Sequence, residues 1–240
     1  MPLKVELHAH TSDDPFDAIP HSSIALLDRA AALGYQALAI TLHDKQIDLG
    51  PLRAHAEVRG LVLIPGIERT IEGKHVLLLN FSARAEGVTT FEALARLRSE
   101  EPGLVVAPHP FYPLGSSLGK TLDRFPALFD AVEVNAMHAR GADFNQAAIR
   151  WAAAHGKPLV GNGDIHRLAQ LGTTYSLVDA APDAQAICDA IRAGRVEVRS
   201  ARLGWIKTLT IFLDIVVVWL WRSAVRRARP GAAADIALEP

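Results

Sequence analysis

Along this chain a short apolar run repeatedly ends in a side chain of the metal-ligand type, and helix-like stretches separate the runs. That pattern suits an α/β barrel or a wound parallel sheet and little else. The first instance is Val5-Glu6-Leu7-His8-Ala9-His10-Thr11. Strand side chains repeat every second residue, so His8 and His10 leave the same face. Two imidazoles together at a strand's end can grip one cation.

The later units follow the same plan. Ser22 and Ser23 offer N-caps to a helix over Ile24 to Leu33, with Gly34 as its stop. The strand Ala37 to Thr41 leads to His43-Asp44, and a weaker helix near Leu52 to Val58 precedes the strand Leu61 to Ile64, with Glu68 beyond Pro65-Gly66. Glu72-Gly73-Lys74 reads as a hairpin turn, and His75 opens the strand Val76 to Leu79. Thr90 caps a helix through Arg98, the strand Leu104 to Ala107 ends in Pro108-His109-Pro110, and Ala131 to Asn135 precedes a helix from Asp143 to His155. Pro158 to Gly161 leads into Asp164-Ile165-His166, and Tyr175 to Val178 with a helix over Asp183 to Ala193 closes the domain.

About seven such units favour a barrel, with ligand candidates at the carboxyl ends of the strands, where α/β barrels carry their sites. No Gly-x-Gly-x-x-Gly or Walker-type loop is present, which weakens a dinucleotide or nucleoside-triphosphate reading. The net charge of −1, with histidine neutral, supplies no broad basic surface for sequence-independent nucleic-acid binding, though a nucleotide or short strand held at a site fits. The single cysteine, Cys188, excludes a disulfide framework and suits a reducing cytoplasm; no signal peptide is expected, since Met1-Pro2-Leu3-Lys4 runs straight into the first strand.

The chemistry lies in His8, His10, His43, Glu68, His75, His109, Asp164 and His166, plus an acid from Asp13, Asp14 or Asp17. Imidazoles and carboxylates converging on one barrel mouth would desolvate one another unless cations stood between them, and mixed nitrogen and oxygen ligation suits zinc, manganese or iron. The set exceeds what one ion can use, so two or three divalent ions sharing a bridging carboxylate are expected. Beside these motifs Lys45, Arg69, Arg140 and Arg167 are candidates for binding substrate phosphate, and His138 is a further candidate for facing the site. His21, His55 and His155 look peripheral.

In order along Val5 to about Ser200, the motifs Leu7-His8-Ala9-His10-Thr11, Ala39-Ile40-Thr41-Leu42-His43-Asp44, Pro65-Gly66-Ile67-Glu68, Lys74-His75-Val76, Pro108-His109-Pro110 and Gly163-Asp164-Ile165-His166 resemble the polymerase and histidinol phosphatase (PHP) family of metal-dependent phosphoesterases. The resemblance implies a distorted (β/α)7 TIM-like barrel with a trinuclear site. It implies a first ion on His8, His10, Glu68 and Asp164, a second on bridging Glu68 with His75 and His109, and a third on His43, His166 and the acid after the first motif. Two departures stand out: Leu42 occupies a position where many members have aspartate, and the spacing after His10 is one residue short. The short spacing makes Asp14 the chosen ligand over Asp13 or Asp17.

The expected reaction is phosphate-ester hydrolysis by a metal-bridging hydroxide, with Asp14, Glu68, Asp164 and His166 at the catalytic centre. The substrate would be a phosphorylated small molecule, nucleotide or short oligonucleotide. An amidohydrolase-type C–N hydrolase is the alternative enzyme, but no lysine ends a strand to bridge its metals; a metal-bound non-catalytic regulator is the alternative outside enzymes. After residue 200 the composition shifts. Residues 201–240 hold an apolar stretch, Leu203 to Trp221, then Arg222, Arg226, Arg227 and Arg229 before a Pro-, Gly- and Ala-rich end. An apolar helix is expected there, lying in the cytoplasmic membrane interface or packed on the barrel or a second subunit.

Overall fold

A computed structural model describes residues 1–137 and 143–201. The expected tail helix from Leu203, together with His138 and Arg140, lies outside the described residues. Among those described, no helix is long and apolar enough to cross a membrane.

The strands are β1 (Leu3–Glu6), β2 (Ala37–Ile40), β3 (Val62–Ile71), β4 (Lys74–Leu79), β5 (Leu104–Ala107), β6 (Ala131–Asn135), β7 (Leu159–Asn162), β8 (Thr174–Val178) and β9 (Val196–Ser200). Between them lie α1 (Ser23–Ala32), α2 (Gly50–Val58), α3 (Phe91–Glu100), α4 (Thr121–Arg124), α5 (Asn145–Ala154) and α6 (Ala184–Arg192). The caps are local: the side chains of Ser22, Thr90 and Asp183 accept the backbone N–H of Ala25, Ala93 and Ala186, satisfying donors a helix start leaves open.

The strands form one nearly closed, barrel-like mixed sheet in the order β7-β6-β5-β4-β3-β2-β1-β8-β9. This corrects the expected seven-unit barrel: there are nine strands among the described residues, and they are not all parallel. Two parallel sets, β1-β2-β3 and β5-β6-β7, are joined through β4, which runs antiparallel to both neighbours. A two-residue turn can connect only antiparallel strands. Here the central residues Glu72 and Gly73 have φ of 49° and 75°, the positive values that let a tight hairpin follow the strand twist.

Strand β3 runs through Pro65-Gly66, where the apolar pattern suggested an end. Its first half, to Pro65, pairs with β2, and from Gly66 it pairs with β4, so each half has a partner on a different side. Strand β9 was not among the expected units, although Val196 and Val198 alternate with Glu197 and Arg199 as in a half-exposed strand. It extends the sheet beyond β8 in antiparallel register.

One cluster joins Val5, Leu7, Ala39, Leu77, Val106 and Val160 to Ile187, Cys188 and Ile191 of α6, so the apolar face of this helix packs on these strand residues while Asp189 and Arg192 stay exposed. Cys188 is buried there, and burial pushes its thiol up to about 12, leaving it an unreactive apolar filler. Helices α3 and α5 cover a second cluster around Phe91, Phe129 and Trp151, and α1 with α2 covers a third around Leu26, Leu38 and Leu52.

Strands β7 and β8 meet without a backbone ladder. The Gly161 N–H donates to Ser176 Oγ at 2.9 Å, and that hydroxyl donates back to the Gly161 carbonyl at 3.1 Å. Only glycine allows the approach, because a Cβ at position 161 would stand 2.8 Å from the Tyr175 carbonyl oxygen and 2.9 Å from Val198 Cγ1. Gly161→Ala is therefore expected to destabilise the protein by about 1–3 kcal/mol through overpacking. Calorimetry should show Tm lower by roughly 2–12 °C for a domain of this size; an unchanged Tm would contradict a tight seam.

Candidate metal centre

The segments that follow β1 and β7 meet at one rim. Beyond β1 the chain stays extended, with Ala9 bridging Ile165, so the segment carrying His8 and His10 lies beside the one carrying Asp164 and His166. A second bridge pairs His43, just past β2, with Glu68 in β3. Hairpin β3–β4 supplies Glu68 and His75, and His109 follows β5.

Glu68 is the common neighbour. Its Oε2 lies 3.3 Å from His8 Nε2, 3.3 Å from His10 Nε2 and 3.2 Å from His43 Nε2. Its Oε1 lies 2.7 Å from His75 Nδ1 and 3.3 Å from His109 Nε2. Asp164 Oδ1 adds a second carboxylate to the first group, 3.4 Å from His8 Nε2 and 3.6 Å from His10 Nε2, with His166 Nδ1 on its other side at 3.3 Å.

The donor set fits a divalent cation. His8 Nε2 and His10 Nε2 are buried and make no hydrogen bond, although carboxylate oxygens face them. Two ligand atoms each about 2 Å from a tetrahedral ion stand roughly 3.3 Å apart, which matches the spacing of these groups. Sets such as His8, His10 and Glu68, or His43, Glu68 and His75, bring three ligand atoms within 4.8 Å of one another.

Without a cation the charges must balance internally. Burial alone would lower the pKa of His8, but Asp164, Glu133 and Glu68 hold it well above the usual range. His10 is raised in the same way, against burial, by Asp14, Asp164 and Glu68. Burial opposes ionisation of Glu68, yet His8, His75 and the other imidazoles keep it well below the ordinary carboxylate value.

Several partners were not identified from sequence. Glu133 on β6 is fully buried; His8 Nδ1 donates to its Oε2 at 2.8 Å, and Asn162, Asn135 and the His109 N–H donate to the same carboxylate. The available signal was a glutamate in a strand whose five residues are otherwise apolar up to Asn135. Glu6, pushed up to about 8 by burial despite N–H bonds from Gly163 and His8, lies beneath His8. His21 is not peripheral: it is buried, and its Nε2 lies 2.9 Å from the His10 carbonyl. His55 pairs with Asp28 and His155 stacks on Trp151, both away from the site as expected.

Three residues at the rim have positive φ without being glycine: Asp44 at 53°, His109 at 27° and Asp164 at 48°. Such conformations cost about 1–3 kcal/mol each. Each is held by bonds: Asp44 Oδ1 accepts from Arg69 Nη1 and the Thr70 N–H, both at 2.6 Å, Ser117 Oγ donates to the His109 carbonyl, and Gln170 Nε2 donates to the Asp164 carbonyl.

Of the expected phosphate-binding cations, Lys45 is exposed beside His43. Arg69 is instead committed to Asp44 and the Val88 carbonyl, and Arg167 donates to the His166 carbonyl. Of the three expected acids, Asp13 accepts from Thr11 and Ser23, Asp17 Oδ2 lies 3.2 Å from His166 Nε2, and Asp14 lies between His10 and His43.

Residues 142–196 match the family model described as PHP-associated. No curated protein matches by sequence. Among solved structures, a two-domain Bacteroides vulgatus protein containing a predicted PHP-like metal-dependent phosphoesterase superposes with a TM-score of 0.68 at 19% identity, covering 90% of this chain and 70% of that one. PsfC from Pseudomonas syringae gives 0.63 at 19% identity over 93% and 99% of the two chains. Endonuclease Q, in complex with a 27-mer duplex substrate bearing an abasic lesion at its active site, gives 0.57 at 18% identity over 84% of this chain and 60% of that one. The chain thus carries the PHP-associated sequence region on a fold shared with PHP-like metal-dependent phosphoesterases.

Proposed function

We propose that this protein hydrolyses phosphate esters with two or three divalent cations, of zinc, manganese or iron, at the rim of the barrel. The observation that carries the reading is Glu68, one buried carboxylate whose two oxygens face five imidazoles. Its Oε2 with His8, His10 and Asp164 would hold one cation, and its Oε1 with His75 and His109 a second; His43 and His166 remain for a third position. Cations there would supply Lewis acidity toward phosphoryl oxygens and a water nucleophile active near neutral pH.

The chain's own groups do the rest. Glu133, by accepting the Nδ1 proton, fixes the His8 tautomer that presents Nε2 to the site. Lys45 offers a positive charge beside His43 for a phosphate that enters there. Nucleotide and oligonucleotide esters belong in the substrate class with small phosphorylated molecules, because the fold is shared with an endonuclease that holds a duplex substrate. In this reading residues 1–200 hold the catalytic unit.

Manganese-loaded protein is expected to cleave a chromogenic phosphodiester or phosphomonoester; metal-replete protein that cleaves neither overturns the reading. Glu68→Ala should lose metal together with at least about 100-fold of the activity, since metal ions contribute several kcal/mol to such reactions. Full metal content with only a raised KM would show that Glu68 does not bridge.

Proton competition gives a further expectation. In the metal-free fold Asp164 and Asp17 hold His166 at about 9 against the lowering effect of burial, and His8 and His10 are raised too. The unfolded chain titrates these histidines near about 6.5, so the folded state binds more protons between roughly pH 6.5 and 9. Stability from these groups is complete below that window and lost as pH rises through it. Chelator-treated protein should therefore show Tm falling from pH 6.5 to 9, while metal affinity rises over the same range. A metal-free Tm that is flat or rising there would contradict the ionised network.

A further inference from the structure

Asp14 meets the site from behind. Its Oδ2 accepts from His10 Nδ1 at 3.0 Å, from His43 Nδ1 at 2.9 Å and from the His43 backbone N–H at 3.0 Å. Its Oδ1 accepts from the backbone N–H groups of Phe16 and Asp17, both at 2.9 Å. Five donors meet one carboxylate, which offers about four lone-pair positions. The side chain has no solvent exposure.

The far edges of the same two rings face Glu68. His10 Nε2 lies 3.3 Å and His43 Nε2 3.2 Å from Glu68 Oε2, and the rings stack with centroids 4.5 Å apart and planes inclined by 24°. Two parallel imidazoles therefore span the space between one oxygen of Asp14 and one oxygen of Glu68. We propose that Asp14 is a positioning carboxylate, not a cation ligand: it fixes the Nδ1–H tautomer of His10 and His43 together, so that both Nε2 atoms face the metal centre.

The two edges of the rings differ in spacing: the Nδ1 atoms lie 2.9 and 3.0 Å from Asp14 Oδ2, hydrogen-bond lengths, whereas the Nε2 atoms lie 3.2 and 3.3 Å from Glu68 Oε2, and His10 Nε2 makes no hydrogen bond. His10, Asp14 and His43 do bring ligand atoms within 4.8 Å of one another, but a cation among them would have to replace both Nδ1 protons, and the Nε2 edges facing Glu68 would then carry the protons and could not ligate. Removing the Nδ1 protons would leave two neutral rings with lone pairs aimed at a buried anion. With the protons in place, each ring is a neutral donor on one edge and a ligand on the other, as metal-bound histidine requires. The Oδ1 bonds to Phe16 and Asp17 anchor the carboxylate in its own turn. One side chain thereby aligns ligands from two strand ends, β1 and β2. The inference rests on the metal centre proposed above and not on the phosphate-ester chemistry.

Full-length protein loaded with Zn²⁺ tests it, with Asp14→Ala and Asp14→Asn as variants. Asn keeps one acceptor oxygen for the Phe16 and Asp17 N–H groups, so it decides the matter if the alanine variant fails to fold. At saturating Zn²⁺ the number of ions per chain should equal that of the wild type. The affinity, read by competition with a chromophoric chelator, should fall about 10–100-fold, the usual effect of removing a partner that orients a metal-bound histidine. Nitrogen-15 spectra of the imidazoles should show protonated Nδ1 and zinc-bound Nε2 on His10 and His43 in the wild type, and a mixture of tautomers in the variants. One ion fewer at saturation would make Asp14 a ligand and overturn the proposal. Unchanged His10 and His43 spectra would overturn it as well, as would a wild type that takes up no Zn²⁺. Wild-type protein that binds Zn²⁺ but cleaves no phosphate ester would remove the proposed function and leave this inference standing.

Discussion

A buried anion shared by five imidazoles is the constraint on which this fold turns. An ionised carboxylate removed from water is costly unless paired, and Glu68 has five ring nitrogens around its two oxygens. Those rings come from four places in the chain, so the strand ends must converge whatever else the sheet does. The hairpin β3–β4 makes the tightest of these contacts, Glu68 Oε1 to His75 Nδ1, between two adjacent strands. The antiparallel β4, which departs from a regular parallel barrel, is thus what places His75 against Glu68.

Order around the centre is kept by a second ring of acceptors. Glu133 accepts a hydrogen bond from His8 Nδ1, and Asp14 accepts those of His10 Nδ1 and His43 Nδ1. These carboxylates are enclosed by donors of their own, so their positions are set by backbone and amide groups and not by solvent. The positive φ values of Asp44, His109 and Asp164 belong to the same design, because strain at a rim persists only where surrounding bonds over-determine it.

Much of the site was legible in the chain because its signals are local. His8 and His10 sit two apart on an extended segment, Asp164 and His166 are also two apart, and most of the candidate ligands follow an apolar run; period two and strand ends need no long-range knowledge. Turn residues Glu72-Gly73 marked the hairpin for the same reason. By contrast, Glu133 reads as one charged residue in a strand until His8 is known to lie 2.8 Å away, across 125 residues of sequence. Arg69 reads as a phosphate ligand until Asp44 and the Val88 carbonyl are seen to hold it.

By itself the sequence determined the alternation of strands and helices, the turn chemistry and the identity of the eight imidazole and carboxylate groups at the rim, since all of these depend on neighbours a few residues apart. Only the tertiary structure decided which edge of each imidazole faces the centre, which acid lies behind His10 and His43 and which lies beside His166, and how the nine mixed strands of the described residues bring β7 against β8 at Gly161 and Ser176. Those outcomes depend on hydrogen bonds between segments far apart in the chain, and a ring with two nitrogens carries no mark in the sequence of which one will meet an acceptor.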